Sequence, residues 1–222
     1  EGGMGLLMGG TAGVQAAHVV IVGAGTVGLS AAKVAMGMGA RVTILDSNLF
    51  RLRQIDDLYG GRIQTLASNA FNIAAAVKEA DLLVGSVLIP GALTPKLVTE
   101  AMVKTMKKGS AIVDVAIDQG GCIEVTAKHG ATYHDNPTFM YEGIVCYSVG
   151  NMPGAVARTS TFTLTNATMP YMIDLANKGW KKACQDDKAL ARGINTYDGK
   201  VYFKGVSDAL GYELHCTCDI LK

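Results

Sequence analysis

The run Gly23-Ala24-Gly25-Thr26-Val27-Gly28 lies between the apolar stretch HVVIV and the amphipathic stretch TVGLSAAKVAMGM, and few folds accept three glycines at that spacing in that place. A strand that enters G-x-G-x-x-G and leaves as a helix reads as a dinucleotide-binding turn. Gly23 makes the tight turn, Gly25 lets the backbone approach a pyrophosphate, and Gly28 lets helix and strand pack closely. The helix N-terminus behind the loop offers free N–H groups and the positive end of the helix dipole to an anion. The hexad alone is a weak signal; the strand before it, the helix after it and an acid closing the next apolar run give it weight.

From His18 onward, short β-branched runs alternate with longer amphipathic stretches, the pattern of βαβ units. The runs are HVVIVGAG, ARVTILD, GRIQTLA, DLLVGSVLI, SAIVDVAID and GIVCYSVGN, and helices are predicted over 26–38, 48–59, 70–79 and 96–106. Continuous rather than alternating apolar strands imply burial on both faces. The fold class is therefore α/β, a doubly wound parallel sheet, with its ligand crevice outside the carboxyl ends of the strands. Residues 19–154 are predicted to form this nucleotide-binding domain. Residues 1–18, with six glycines in the first 13, read as a linker or hairpin. In 155–222 the pattern turns to a helix over Thr159–Gln185, part of a substrate domain, with a weakly patterned tail beyond Gly193. That helix has an apolar face (Phe162, Leu164, Met169, Met172, Leu175, Trp180) which must bury against something. The chain opens at Glu1 inside a glycine-rich stretch, so a truncation is expected, with the missing N-terminal region as partner for this face.

Asp46 closes VTILD 23 residues after Gly23, near the roughly 20 expected of a ribose-binding carboxylate. The alternative is a strand-end turn or helix cap. A carboxylate there repels a 2′-phosphate by about 1 kcal/mol in water and about 4 at intermediate dielectric, so NAD is expected over NADP, with Arg51 one turn on as a softening influence. Asp118 is read as the carboxyl end of SAIVDVAID, followed by Gly120-Gly121, which would let backbone approach a ligand; a structural Asp capping that turn is the alternative. Asn151, closing the next run, suits a carboxamide or a ribose hydroxyl, or is a turn residue before Met152-Pro153.

A net charge of +1 with no basic footprint argues against nucleic-acid binding, and no apolar run reaches the roughly 20 residues of a membrane span. Five cysteines without C-x-x-C spacing argue against a zinc site or disulfide scaffold, leaving Cys216-x-Cys218 as a bland tail pair or a weak metal clip. No metal is expected, and a reducing, cytoplasmic setting is. His18, His129, His134 and His215 are read as solvated or capping residues.

The runs IVDVAIDQGGCIE, HDNPT, NMPGAVARTSTFTLTNATMPY and LLVGSVLIPGALTPKLV resemble the alanine dehydrogenase family, a similarity extending from Gly2 to about Val201. The resemblance implies oxidative deamination of L-alanine to pyruvate and ammonia with hydride transfer to NAD, in a cytoplasmic homo-oligomer, usually a hexamer. It implies that Asp118 is catalytic, assisting attack of water and proton transfer near the substrate carbon. It also implies NAD contacts at Thr26, Val27, Asp46, Arg51, Ser68, Val87, Leu88, Val115, Ala116, Ile117, Asp118, Val149, Gly150, Asn151 and Met152. The family's pyruvate-gripping arginine, lysine and histidine are expected upstream of Glu1, so this chain alone is expected to bind NAD without oxidising alanine. The loop after Glu124, VTAKHGATYHDNP, is longer than the family's, and only Lys128 offers itself where an arginine is common. Two other readings stand beside this one. The nucleotide-binding part of a proton-translocating transhydrogenase is disfavoured by IDQGGC and the lack of a membrane segment. A non-catalytic NAD-sensing module has no need of an acid at Asp118.

Overall fold

The computed structural model describes residues 2–88 and 94–222, which fall into two compact units divided after Met152. In the first unit the elements run β1 (His18–Val22), α1 (Thr26–Gly37), β2 (Arg41–Asp46), α2 (Leu49–Tyr59), β3 (Ile63–Ala67), α3 (Ala70–Glu79), β4 (Leu82–Gly85), α4 (Glu100–Val103), β5 (Ala111–Asp114), a 3-10 turn (Ile117–Gln119), α5 (Glu124–His129), β6 (Thr138–Tyr141) and β7 (Ile144–Tyr147). They build one seven-stranded sheet in the order β3-β2-β1-β4-β5-β7-β6. Every neighbouring pair is parallel except β6–β7. The chain order reverses between β1 and β4, so the crevice at their carboxyl ends is the topological switch point where α/β sheets bind ligands.

The central apolar runs become strands because both sides of each are covered, whereas β3, at the sheet edge, buries only Ile63 fully. Successive side chains of a strand point to opposite faces. Accordingly Val19 and Ile21 of β1 join Ala32, Ala35, Leu52 and Ile55 from α1 and α2 in one core, while Val20 and Val22 join Ile73, Val77 and Val103 from α3 and α4 in the other. Burying each such Val, Ile or Leu contributes about 1.5–3 kcal/mol. Side-chain oxygens start the helices: Asn48 accepts from the Arg51 N–H before α2 and Asn69 from the Asn72 N–H before α3. Gly60 ends α2 in the left-handed conformation.

Three features depart from the sequence reading. The helix expected over 96–106 contracts to Glu100–Val103, because the preceding residues are drawn into tertiary pairing: the Leu97 and Val98 N–H groups donate to Cys122 O, and Val98 bridges Ile123. The expected loop after Glu124 begins as α5. A seventh strand, β6, turns back on β7 through Glu142-Gly143, both at positive φ (49° and 76°), as a tight two-residue hairpin requires. The opening residues bond within this unit, the Met4 N–H to Gly109 O and the Ala17 N–H to Met8 O, with a small antiparallel turn at Thr11 and Val14.

The second unit holds α6 (Ala157–Asp186), which breaks at Gly179 (φ 73°), then α7 (Lys188–Ala191), the hairpin β8 (Thr196–Tyr197) and β9 (Lys200–Val201), and α8 (Lys204–Leu210). Phe162, Leu164 and Met172 of α6 are exposed, while Trp180 stacks obliquely on Tyr197 at 4.7 Å. The tail cysteines Cys216 and Cys218, read in the sequence as a bland tail pair or a weak metal clip, are paired with each other; the bond spans one residue and staples no elements together. Cys122, Cys146 and Cys184 are free and buried. Among the described residues no helix is long and apolar enough to cross a membrane, and no group of three or more His, Cys, Asp or Glu could hold a metal ion.

Candidate functional site

The glycine loop has the geometry a pyrophosphate needs. Gly23 sits at φ +105°, and a Cβ there would strike the Ser86 carbonyl. A Cβ on Gly28 would fall on the Gly23 carbonyl oxygen, far inside van der Waals contact, so the third glycine is what lets α1 close on β1. Among the described residues a Cβ on Gly25 would meet nothing within 4 Å, so the loop is open there. Gly25 caps α1 without a side-chain hydrogen bond, and the first intrahelical bond is from the Leu29 N–H to Gly25 O. The first-turn amides of Thr26 and Val27, both exposed, thus face a site shaped for an anion. The Ser86 hydroxyl reaches Val22 O and Gly23 O at 3.1 and 3.0 Å, tying β4 to the loop.

Asp46 ends β2, and its carboxylate already serves the loop. Oδ2 accepts the Ala24 N–H at 2.7 Å and Oδ1 the Asn48 N–H at 2.8 Å. A carboxylate has about four lone-pair positions, so these two bonds leave it capacity to accept from further donors. The strand-end and ribose-binding readings thus describe compatible uses of one side chain. Arg51 is tethered at the same place, Nε donating to Ala24 O at 2.9 Å. Ser68, just past β3, is held beside Asp46 by its N–H bond to Asp46 O.

On the far side of the switch point, Val87 is partly buried against the core and Leu88 is exposed. The expected strand through Asp118 stops four residues earlier, at Asp114, and Asp118 lies in the 3-10 turn that follows. The strand stops because Asp114 is a buried hub: its carboxylate accepts the N–H groups of Ala116, Cys122 and Ile123 and the Thr126 hydroxyl. Folding the backbone over one carboxylate pulls Val115 through Gly121 out of the sheet. Ala116 and Ile117 are buried, and Asp118 faces solvent. Sequence reading passed over Asp114; its signal was an acid inside an otherwise apolar strand. Burial and the Asp114 carboxylate push the Cys122 thiol up to about 12, which keeps it an inert thiol.

After β7, Val149 is buried, Gly150 would bring a Cβ within 3.3 Å of Asp118 Oδ1, and Asn151 takes a left-handed φ of 52°. That conformation turns the Asn151 N–H onto Asp118, at 3.2 Å from each carboxylate oxygen. Met152 follows, half-buried. Asp118 and Asn151, 33 residues apart in the chain, are thus brought together. Next to them Thr94 Oγ1 and Gln119 Oε1 are buried and find no hydrogen-bond partner among the described residues, although the Thr94 N–H donates to Gln119 O. Lys128 does not reach this crevice as a free cation; it is paired at 2.7 Å with Glu100 and 2.9 Å with Glu124. His18 is wedged at 2.8 Å against the Thr43 hydroxyl, and His129 stacks on Phe139.

A glycine loop at the switch point of a doubly wound sheet, an acid on the next strand end and an open helix N-terminus define a dinucleotide-binding protein. Residues 1–204 match the family described as Alanine dehydrogenase/PNT, C-terminal domain, and the chain belongs to that family. It is 93% identical to an alanine dehydrogenase of Bilophila wadsworthia (strain 3_1_6) over 226 aligned positions, covering 100% of this chain and 60% of the relative. Among solved structures, an L-alanine dehydrogenase is 47% identical with a TM-score of 0.85, over 95% of this chain and 57% of the other. A transhydrogenase from Sinorhizobium meliloti is 32% identical with a TM-score of 0.57, over 68% and 42%. The chain spans about 60% of the length of the curated alanine dehydrogenase it matches at 93% identity.

Proposed function

We propose that this chain is the NAD-binding part of an alanine dehydrogenase, whose whole length carries out oxidative deamination of L-alanine to pyruvate and ammonia. The observation that carries the reading is the pairing of an open glycine loop with Asp118, a solvent-facing carboxylate oriented by the Asn151 N–H. NAD, when bound, supplies the acceptor for the hydride from the alanine α-carbon. The amides at the start of α1 hold the pyrophosphate, Asp46 accepts from the adenosine ribose and disfavours a 2′-phosphate, and Ser68, Val87 and Leu88 line its path. Val115–Asp118 and Val149–Met152 border the nicotinamide half. Asp118 takes a proton as water adds to the imine carbon left after oxidation and returns it to the nitrogen as ammonia leaves, a general acid–base role.

The remaining length of the protein is proposed to hold the substrate carboxylate and to cover the exposed apolar positions Phe162, Leu164 and Met172 of α6. The proposed assembly is a cytoplasmic homohexamer, testable by analytical ultracentrifugation of the whole protein. The function is tested by titrating this chain with NAD and NADP, and by following alanine-dependent NADH formation in the whole protein. Failure of NAD to bind would overturn the cofactor reading; binding without alanine-dependent turnover by the whole protein would favour a sensing module.

A further inference from the structure

The segment Thr94–Val98 runs alongside the turn that carries Asp118. The Thr94 N–H donates to Gln119 O, the Leu97 N–H to Cys122 O and the Glu124 N–H to Val98 O. In the middle of this strap, Lys96 Nζ donates to the carbonyl oxygens of both Gly120 and Gly121, at 2.7 Å for the latter. Gly120 and Gly121 are consecutive left-handed residues, φ 88° and 73°. Their N–H groups are spent inside the turn, on Ile117 O and Ala116 O. The turn is therefore gripped by opposite charges through its backbone. The Asp114 carboxylate collects N–H groups on the buried side, and the Lys96 ammonium collects carbonyls on the exposed side. Hydrogen bonds to a charged partner are roughly twice as strong as neutral ones, and a two-glycine turn has more freedom to lose than any other.

We propose that Lys96 is a positioning residue for Asp118: by holding the Gly120 and Gly121 carbonyls it fixes the turn from which Asp118 presents its carboxylate. The proposal rests on the acid–base reading of Asp118. A charged clamp suits this place because small misplacements of a reacting group are costly, up to about a hundredfold in rate for about 1 Å.

The test uses the whole enzyme with Lys96→Met, which keeps chain length but removes the ammonium, Lys96→Arg, which restores donors, and Asp118→Asn, alone and combined with Lys96→Met. Lys96→Met should lower kcat by about tenfold to a hundredfold, leave NAD affinity within about twofold, and accelerate amide exchange at Gly120 and Gly121; Lys96→Arg should recover most of the rate. In the Asp118→Asn background Lys96→Met should cost little more, since two residues acting through one group are not additive. Lys96→Met at the parental rate beside a defective Asp118→Asn overturns the positioning role alone. A full additional loss in the double variant overturns it as well, by placing Lys96 on a separate path. Asp118→Asn at the parental rate overturns both the acid–base reading and this proposal.

Discussion

The two carboxylate oxygens of Asp118 lie at equal distance, 3.2 Å, from the backbone nitrogen of Asn151, so one N–H is shared between them. Sharing orients the carboxylate without burying it, and Asn151 has to adopt a left-handed backbone to deliver that N–H. An amide in place of the acid can still accept this bond. Asp118→Asn in the whole enzyme is therefore expected to keep NAD affinity within about twofold while kcat falls by about 10²- to 10⁴-fold, measured by NADH absorbance and cofactor titration.

The glycines of the loop should separate folding from binding. Gly25 has φ −68° and open space around its missing Cβ, so Gly25→Ala should unfold within about 0.5 kcal/mol of the parent yet bind NAD at least about tenfold more weakly, because the methyl occupies the pyrophosphate's approach. Gly28→Ala places its methyl on the Gly23 carbonyl and should lower stability by about 1–3 kcal/mol, as overpacking does. Thermal unfolding beside NAD titration distinguishes the two; equal effects of both substitutions on unfolding would contradict the close approach of α1 and β1.

Asp46→Gly should weaken NAD and narrow the gap to NADP, since the proposed ribose acceptor and the charge opposing a 2′-phosphate vanish together. Because the same carboxylate accepts the Ala24 and Asn48 N–H groups, the substitution should also lower the unfolding midpoint, by an amount in keeping with about 1.5–3 kcal/mol for hydrogen bonds to a charged group. An unchanged cofactor preference would remove Asp46 from the specificity argument.

Acid stability should carry the mark of Glu100. Hydrogen bonds from Lys128, then Tyr141, then Lys104 hold its carboxyl down at about 2, against an ordinary 4.5. A carboxyl depressed in the folded state contributes stability that is present above its unfolded value and lost as pH falls through the folded one. The difference in stability between the parent and Glu100→Gln should therefore be full above about pH 4.5, shrink from there toward pH 2, and diminish in high salt because the pairs are exposed. Urea unfolding at a series of pH values measures it; a gap that does not change over that range would show the network to be ornamental.

The parallel sheet was legible because its strands are continuous apolar runs, and the cofactor loop because its glycine hexad follows a strand and opens a helix, with Gly23 and Gly28 at positions where a Cβ would strike backbone. The strand end at Asp114 was not legible. In sequence SAIVDVAID is one unbroken β-prone run, and only the pull of a buried carboxylate on amides up to nine residues away ends it. The hairpin strand β6 was masked by its length of four residues and by the polar HDNP before it. Pairing with Cys122 and Ile123 took residues 96–99 out of the predicted 96–106 helix, a tertiary preference that local periodicity does not carry. Lys96 was hidden for a similar reason, since its partners are backbone carbonyls and leave no trace in side-chain spacing.

The bond between Ser86 and the Gly23 carbonyl joins residues 63 positions apart, and β1 cannot pair with β4 before residues 82–85 have been made. The cofactor loop, encoded near the start of this chain, is therefore completed late. As the polypeptide emerges during synthesis, β1, β2 and β3 have one another to pair with, but the wall of the loop that Ser86 and Val87 supply does not yet exist. Long-range closure of this kind is slow compared with helix formation. A nascent chain exposed only as far as residue 80 of this sequence would carry the whole glycine signature and have no finished place to put a dinucleotide.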